Sequence, residues 1–368
     1  MASSRRSQIS LLTTGTGGLV LNGWGQSVFG PALPGYVRLY GLTETGAGFL
    51  ISVFWAGALL GVITLILWPA RLSARWCFAS LAVGAGLIAT QAGWPVVLLG
   101  AALFGFGDGG IATIFNRRFL TEFAGRGPAM LGLLNAVYCI GAIFGPLTFV
   151  AFGSDPQRTY LLLAAVAAAF VPFAMPGPRE TPDLGQRTRI RPVVLLFGIG
   201  SVGFEAAMIG LGPTALIAEG VSEPHAAQLA SLFFVAYLAA RIIAIWLAPK
   251  VPAFTLFTAC LFLAGLGALA ASMAQPGLFY VASGAAVALI FPSNFIFASA
   301  AMGGGARTSA MIMAGCLFGG IAVPSLVGPA MTVTGWDAFA LMAGLGLAIA
   351  FCAVLFGLRA ADGTPQGT

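Results

Sequence analysis

Three charged residues, Asp108, Glu205 and Arg241, stand inside long apolar runs of this 368-residue chain. A charge at the centre of a bilayer costs at least about 2.5–3.5 kcal/mol on insertion scales, so residues of this kind are expected to do work. A carboxyl that gains and loses a proton as its neighbours change can link proton movement to the movement of a polar solute. Asp108 and Glu205 are the candidates for that role. Arg241 suits two-pronged binding of a carboxylate, either that of Glu205 or an anionic group on a solute. The blander alternatives are a packing carboxyl at Asp108 and a static ion pair between Glu205 and Arg241.

Uncharged polar residues recur near these positions at helical spacing. Asn22 and Gln26 stand four apart, with Phe29 three further on; Asn135 and Tyr138 stand three apart; Tyr237 precedes Arg241 by four. Ser201 and Met208 share the face of Glu205, and Ser283 and Asn294 fall in another apolar run. Amides and aromatic rings together suit a hydroxylated ligand, with hydrogen bonds at its edges and apolar contact on its face. Ordinary hydrogen bonding between helices is the alternative for each.

The elements that must position these residues are membrane spans. The chain is 59% apolar and 8% charged, with a mean hydropathy of +0.96, values foreign to a water-soluble domain. A span needs about 20 apolar residues, and twelve such runs are expected: 11–36, 47–68, 76–91, 95–116, 129–152, 160–175, 192–218, 226–248, 251–273, 278–300, 309–331 and 338–358. The short links make successive spans antiparallel. With both termini cytoplasmic, Arg5, Arg6, Arg71, Arg75, Arg117, Arg118, Arg126, Arg179, Arg187, Arg189, Arg191, Lys250, Arg307 and Arg359 all fall inside, and only Arg38 and Arg158 outside. One missed or invented span would scramble that asymmetry. Arg5-Arg6 is therefore read as the inside flank of the first span in preference to a secretory or twin-arginine leader.

Counting excludes other chemistry. His225 is the only histidine and Lys250 the only lysine, so an HExxH metal site is out, and Lys250 followed by Val251 is no P-loop. Cys77, Cys139, Cys260, Cys316 and Cys352 never reach CxxC spacing and read as small buried hydrophobes. No cofactor and no metal are expected, nor is an enzyme. The net charge of +6 is scattered between apolar runs and forms no nucleic-acid patch. The expected partners are a small-molecule solute, protons and the lipid bilayer.

The polar stretch 176–191 divides the chain into residues 1–175 and 192–368, each with six spans. Ser52-Val53-Phe54-Trp55 overlays Ser231-Leu232-Phe233-Phe234 without a gap, and Ala129-Met130 with Gly145-Pro146 echoes Ala310-Met311 with Gly328-Pro329. Two six-helix halves joined by a basic linker resemble the major facilitator superfamily. Trp68 to Arg75 stands where that family carries a Gly/Asp/Arg-rich loop, here without the Asp and Gly, and Gly141 to Pro146 resembles its GxxxGP motif. Ser201-Val202-Gly203-Phe204-Glu205 is similar to the VGxE signature of the fucose permease and related sugar:proton symporters. Arg241 stands where that group has Gly-Arg, with Ala240 in place of the Gly. Gly105 to Gly110 with Asn116 resembles the group's glycine-rich fourth span, although an acidic residue expected in the first span is absent. The resemblance implies an all-α fold of twelve helices in two six-helix repeats, alternating access, proton symport of a sugar-like solute, and action as a monomer in the plasma (inner) membrane. Export of amphipathic compounds is the second expectation, and a membrane scaffold or sensor the third.

Overall fold

The computed structural model describes residues 2–68, 72–123, 127–174, 189–247, 250–303 and 306–362. Among them are twelve α-helices: α1 (Ala2–Tyr40), α2 (Glu44–Leu67), α3 (Ala74–Thr90), α4 (Trp94–Glu122), α5 (Gly127–Ala151), α6 (Pro156–Phe170), α7 (Pro192–Ala218), α8 (Glu223–Leu247), α9 (Ala253–Met273), α10 (Pro276–Met302), α11 (Ala306–Thr334) and α12 (Ala338–Asp362). Nine are long and apolar enough to cross a membrane. Of the others, α3 and α6 are shorter than a full span, with 17 and 15 residues. In α1 the hydroxyls of Thr14 and Thr16 are satisfied within the helix by the carbonyls of Ser10 and Leu12. The helices overrun the apolar stretches at several ends. α4 continues to Glu122, where Arg118 Nε pairs with its carboxylate at 2.6 Å; apolar length marks what lies in hydrocarbon, and an i,i+4 ion pair extends the helix beyond it.

Helix starts follow capping chemistry. Thr43 Oγ1 accepts from Gly46 N at 3.1 Å, Asp155 Oδ1 from Gln157 N and Asp337 Oδ1 from Ala340 N, both at 2.8 Å. Proline opens α4, α6, α7 and α10, where the missing N–H removes nothing.

The two halves repeat one packing scheme. A methyl group on Gly105 of α4 would lie 2.0 Å from Phe54 O of α2, and one on Gly284 of α10 would lie 2.5 Å from Phe233 O of α8; both partners are displaced by 179 residues. The α1–α5 contact, Gly141 on Val20 O, is likewise repeated between α7 and α11 by Gly319 on Ile199 O. Glycine at these points lets backbones touch, which is how helices associate where lipid competes for apolar side chains. Contacts between the repeats run chiefly α2–α11, α5–α8 and α1–α7.

Most of the stretch 176–191 and residues 69–71 of the 68–75 loop lie outside the described residues. Of the parts described, Arg189 N donates to Met302 O at 3.0 Å, and Arg75 Nε donates to Val171 O at 3.3 Å.

Candidate functional site

Asp108 sits at the midpoint of α4 and Glu205 at the midpoint of α7. The glycines around Asp108 are used by neighbouring helices: Gly105 and Gly109 receive α2, Gly107 and Gly110 receive α3. That leaves the aspartate toward α1, where Asn22 Nδ2 donates to the Asp108 backbone carbonyl at 3.0 Å. The Asp108 side chain is 9% exposed, and neither its Oδ1 nor Asn22 Oδ1 has a protein partner. One turn along α1, Gln26 Oε1 accepts the hydroxyl of Tyr138 from α5.

A second chain of bonds crosses between the repeats. Asn135 of α5 accepts from Arg241 Nη1 of α8 at 3.0 Å. Arg241 Nη2 donates to the Tyr237 hydroxyl at 2.8 Å, and that hydroxyl donates to Glu205 Oε1 at 2.7 Å. Arg241 also lies over the Tyr237 ring, 4.7 Å from its centroid, and points Nε toward Ala288 O. Glu205 and Arg241 therefore make no direct ion pair. Tyr237, one turn before Arg241, occupies the space between them, and Glu205 Oε2 has no protein partner.

Asp108, Glu205, Asn22, Gln26, Asn135, Tyr138, Tyr237 and Arg241 thus form two neighbouring polar groups, and Tyr138 stands within electrostatic reach of Asp108, Glu205 and Arg241 alike. Phe29 is 1% exposed and packs its ring on Phe54, Phe104 and Tyr160, so it supports the site from the core. Asn294 is wholly buried and packs, with Cys316 of α11, beside Gly198 of α7, two turns from Glu205 on the same face.

Two cavities among the described residues bear on these groups. A small one of 10 Å³ is walled by Gln26 and Phe29 of α1, Trp55 of α2 and Ala206 and Gly210 of α7. A larger one of 60 Å³ lies toward the other ends of these helices, between Leu33, Gly48, Leu211 and Pro324, and is mostly apolar. Of the two polar groups, Gln26 lines the small cavity, and none of their members lines the larger. Near the larger cavity Arg38 of α1 pairs with Glu223 of α8, its Nη2 3.0 Å from Oε2. In the sequence Arg38 marks only orientation, as one of two arginines expected outside. Thr214 Oγ1 to Gly30 O at 3.4 Å and Ser231 Oγ to Ile143 O at 3.0 Å add further bonds between the repeats.

No protein-family model matches the sequence. The nucleoside transporter NupG superposes with a TM-score of 0.71 at 17% identity over 94% of this chain and 98% of that one. The xylose transporter XylE from E. coli gives 0.73 at 13% over 95% and 97%. The E. coli fucose:proton symporter FucP gives 0.65 at 16% over 94% and 97%, and FucP is a Major Facilitator Superfamily transporter. This chain has the major facilitator fold. With that fold it is a multi-pass membrane protein, and the twelve-helix, two-repeat expectation holds. In sequence, the drug efflux pump JefA of two Mycobacterium tuberculosis strains is 29% identical over 154 residues, 40% of this chain. The match spans only 27% of that pump's length.

Proposed function

We propose that the chain is a secondary active transporter, not an enzyme, which moves a small polar, sugar-like solute by alternating access coupled to protons. Residues 1–175 and 192–368 are the two moving bundles and 176–191 their linker, in an inner membrane with both termini cytoplasmic. Asp108 and Glu205 carry the proton. Asn22, Gln26, Asn135, Tyr138, Tyr237 and Arg241 line the path of the solute, and Phe29 backs it.

One observation carries this reading: two mid-helix carboxyls each keep an oxygen without a protein partner, beside a hydrogen-bond chain that joins the two repeats. A buried polar atom without a partner costs about 1–3 kcal/mol, and a proton or a solute group bound at either carboxyl would offset that cost. In proteoliposomes with an imposed proton gradient, Asp108→Asn and Glu205→Gln are expected to abolish uphill accumulation, with counterflow retained in at least one. Accumulation left intact in both would overturn proton coupling. The second reading, export of amphipathic compounds, is supported by the local likeness to an efflux pump and the apolar 60 Å³ cavity. A thermal-shift screen separates the two: hits among sugars and polyols support the first, hits confined to lipophilic cations the second.

A further inference from the structure

Glu205 has two carboxylate oxygens, and only Oε1 is engaged by the Tyr237–Arg241–Asn135 chain. Glu205 also shares a face of α7 with a second set of buried residues. Val194, Gly198, Ser201 and Glu205 recur at intervals of four, three and four and so lie on one face of α7. Met302, Ala298 and Asn294 descend one face of α10 in steps of four, and Ile312 and Cys316 do the same on α11. These faces meet: Gly198 lies against Asn294 Nδ2 and Cys316 Sγ, with distances of 3.1 and 3.3 Å from an added methyl. Cys316 in turn lies within electrostatic reach of Glu205.

Read upward from the ends of α7 and α10 nearest Arg189, the seam has three storeys. The lowest is an apolar plug of Val194, Ala298, Met302 and Ile312, each no more than 2% exposed and clustered apart from the main core. Above it Asn294 is 0% exposed, and neither its Oδ1 nor its Nδ2 has a protein partner. Above that come Ser201, also 0% exposed, and then Glu205. A buried amide with two unpartnered atoms, facing a glycine and a small thiol, has the polarity that fixes internal water, which typically makes about three hydrogen bonds to such groups.

We infer that Asn294 seats buried water in the α7–α10–α11 seam, and that this water, with Ser201, relays protons between Glu205 and the face beyond the Met302 plug, apart from the solute path. The inference rests on Glu205 as a proton carrier. It makes Asn294 a positioning residue and Met302 a barrier. The titratable neighbours of Glu205 are Tyr237 and Arg241 on α8, Tyr138 and Cys139 on α5 and Cys316 on α11; of these only Cys316 belongs to the seam.

The test is hydrogen–deuterium exchange at the protonated Glu205 carboxyl, followed by the infrared carbonyl band that Glu205→Gln removes, in purified full-length protein without solute or gradient. Asn294→Leu is expected to slow exchange at least tenfold, and Met302→Ala to speed it. Gly198→Ala, which places a methyl against Asn294, should slow it as well. Thermal melting controls for folding: both Asn294→Leu and Gly198→Ala should keep a cooperative melt. Exchange unchanged in both Asn294→Leu and Gly198→Ala would overturn the inference. Because the readout needs no transport, it separates the two claims: a parent protein that exchanges as expected yet accumulates nothing keeps the hydrated seam and loses the coupling reading.

Discussion

Gln26 and Glu205 hold equivalent places in α1 and α7, 179 residues apart, and each accepts a hydrogen bond from a tyrosine hydroxyl. The acceptor position recurs with a different chemistry, and its tyrosine comes from α5 in the first case and from α8 in the second. An amide cannot exchange its charge state with a proton, whereas a carboxyl can. Under the proposed coupling, Glu205 can exchange a proton at this level of the second repeat, whereas Gln26 in the first can only make neutral hydrogen bonds.

Tyr237→Phe and Tyr138→Phe test that difference. Loss of the Tyr237 hydroxyl strands Glu205 Oε1 and Arg241 Nη2 together, and hydrogen bonds to charged groups contribute about 1.5–3 kcal/mol. Tyr237→Phe is therefore expected to cut proton-driven accumulation at least tenfold and to lower the melting temperature. Tyr138→Phe removes a neutral bond to Gln26 and should mainly weaken solute binding, with accumulation of saturating solute close to normal. The two effects are read by gradient-driven uptake and by solute titration; equal losses of uptake in both variants would count against the assignment.

Much of this was legible in residue types and spacing. Asp108, Glu205 and Arg241 stood out because charge inside an apolar run is costly wherever the helices later pack, and the gapless overlay of Ser52–Trp55 on Ser231–Phe234 already marked the repeat. Contacts between helices were not legible. Helical periodicity gives the face a residue lies on but not its neighbour, so the interposition of Tyr237 between Glu205 and Arg241 could not be read. Asn294 shows the same limit: its position in α10 does not reveal that it packs beside Gly198 of α7. The equivalence of Gln26 and Glu205 was hidden because α1 and α7 share little sequence around it.

The Arg241–Asn135 bond joins α8 to α5 across the repeats, and the proposed alternating access requires α5 and α8 to part there. Asn135→Asp turns that bond, already charge-assisted by the Arg241 guanidinium, into an ion pair with added Coulombic attraction. It is expected to slow exchange counterflow several-fold while raising the melting temperature. Arg241→Lys will not substitute, because a single ammonium cannot hold the Asn135 and Tyr237 branches at fixed angles. Counterflow rates and melting curves on the same preparations check both statements.

At the other end Arg38 and Glu223 join α1 to α8, with the Arg38 side chain 63% exposed. An exposed pair contributes at most about 1 kcal/mol, enough to shift a two-state population about fivefold. Arg38→Glu and Glu223→Arg should each raise the labelling rate of a cysteine placed at Leu211, in the wall of the 60 Å³ cavity, and the double swap should restore the slow rate. High salt should mimic the single variants in the parent.

Backbone contact gives the sharpest stability prediction, because glycines differ in what a methyl would meet. Gly105→Ala drives its methyl to 2.0 Å from Phe54 O, and Gly284→Ala to 2.5 Å from Phe233 O, whereas at Gly86 and Gly344 nothing lies within 4 Å. Overpacking of this kind costs about 1–3 kcal/mol. Neither contact yields by moving a side chain, since each partner is a main-chain carbonyl on a rigid helix. Melting temperatures in detergent should fall for both repeat-related variants, further for Gly105→Ala, and stay level or rise slightly for Gly86→Ala and Gly344→Ala, as alanine's better helix propensity dictates. A drop at Gly86 equal to that at Gly105 would mean that close α2–α4 approach is not what these glycines provide.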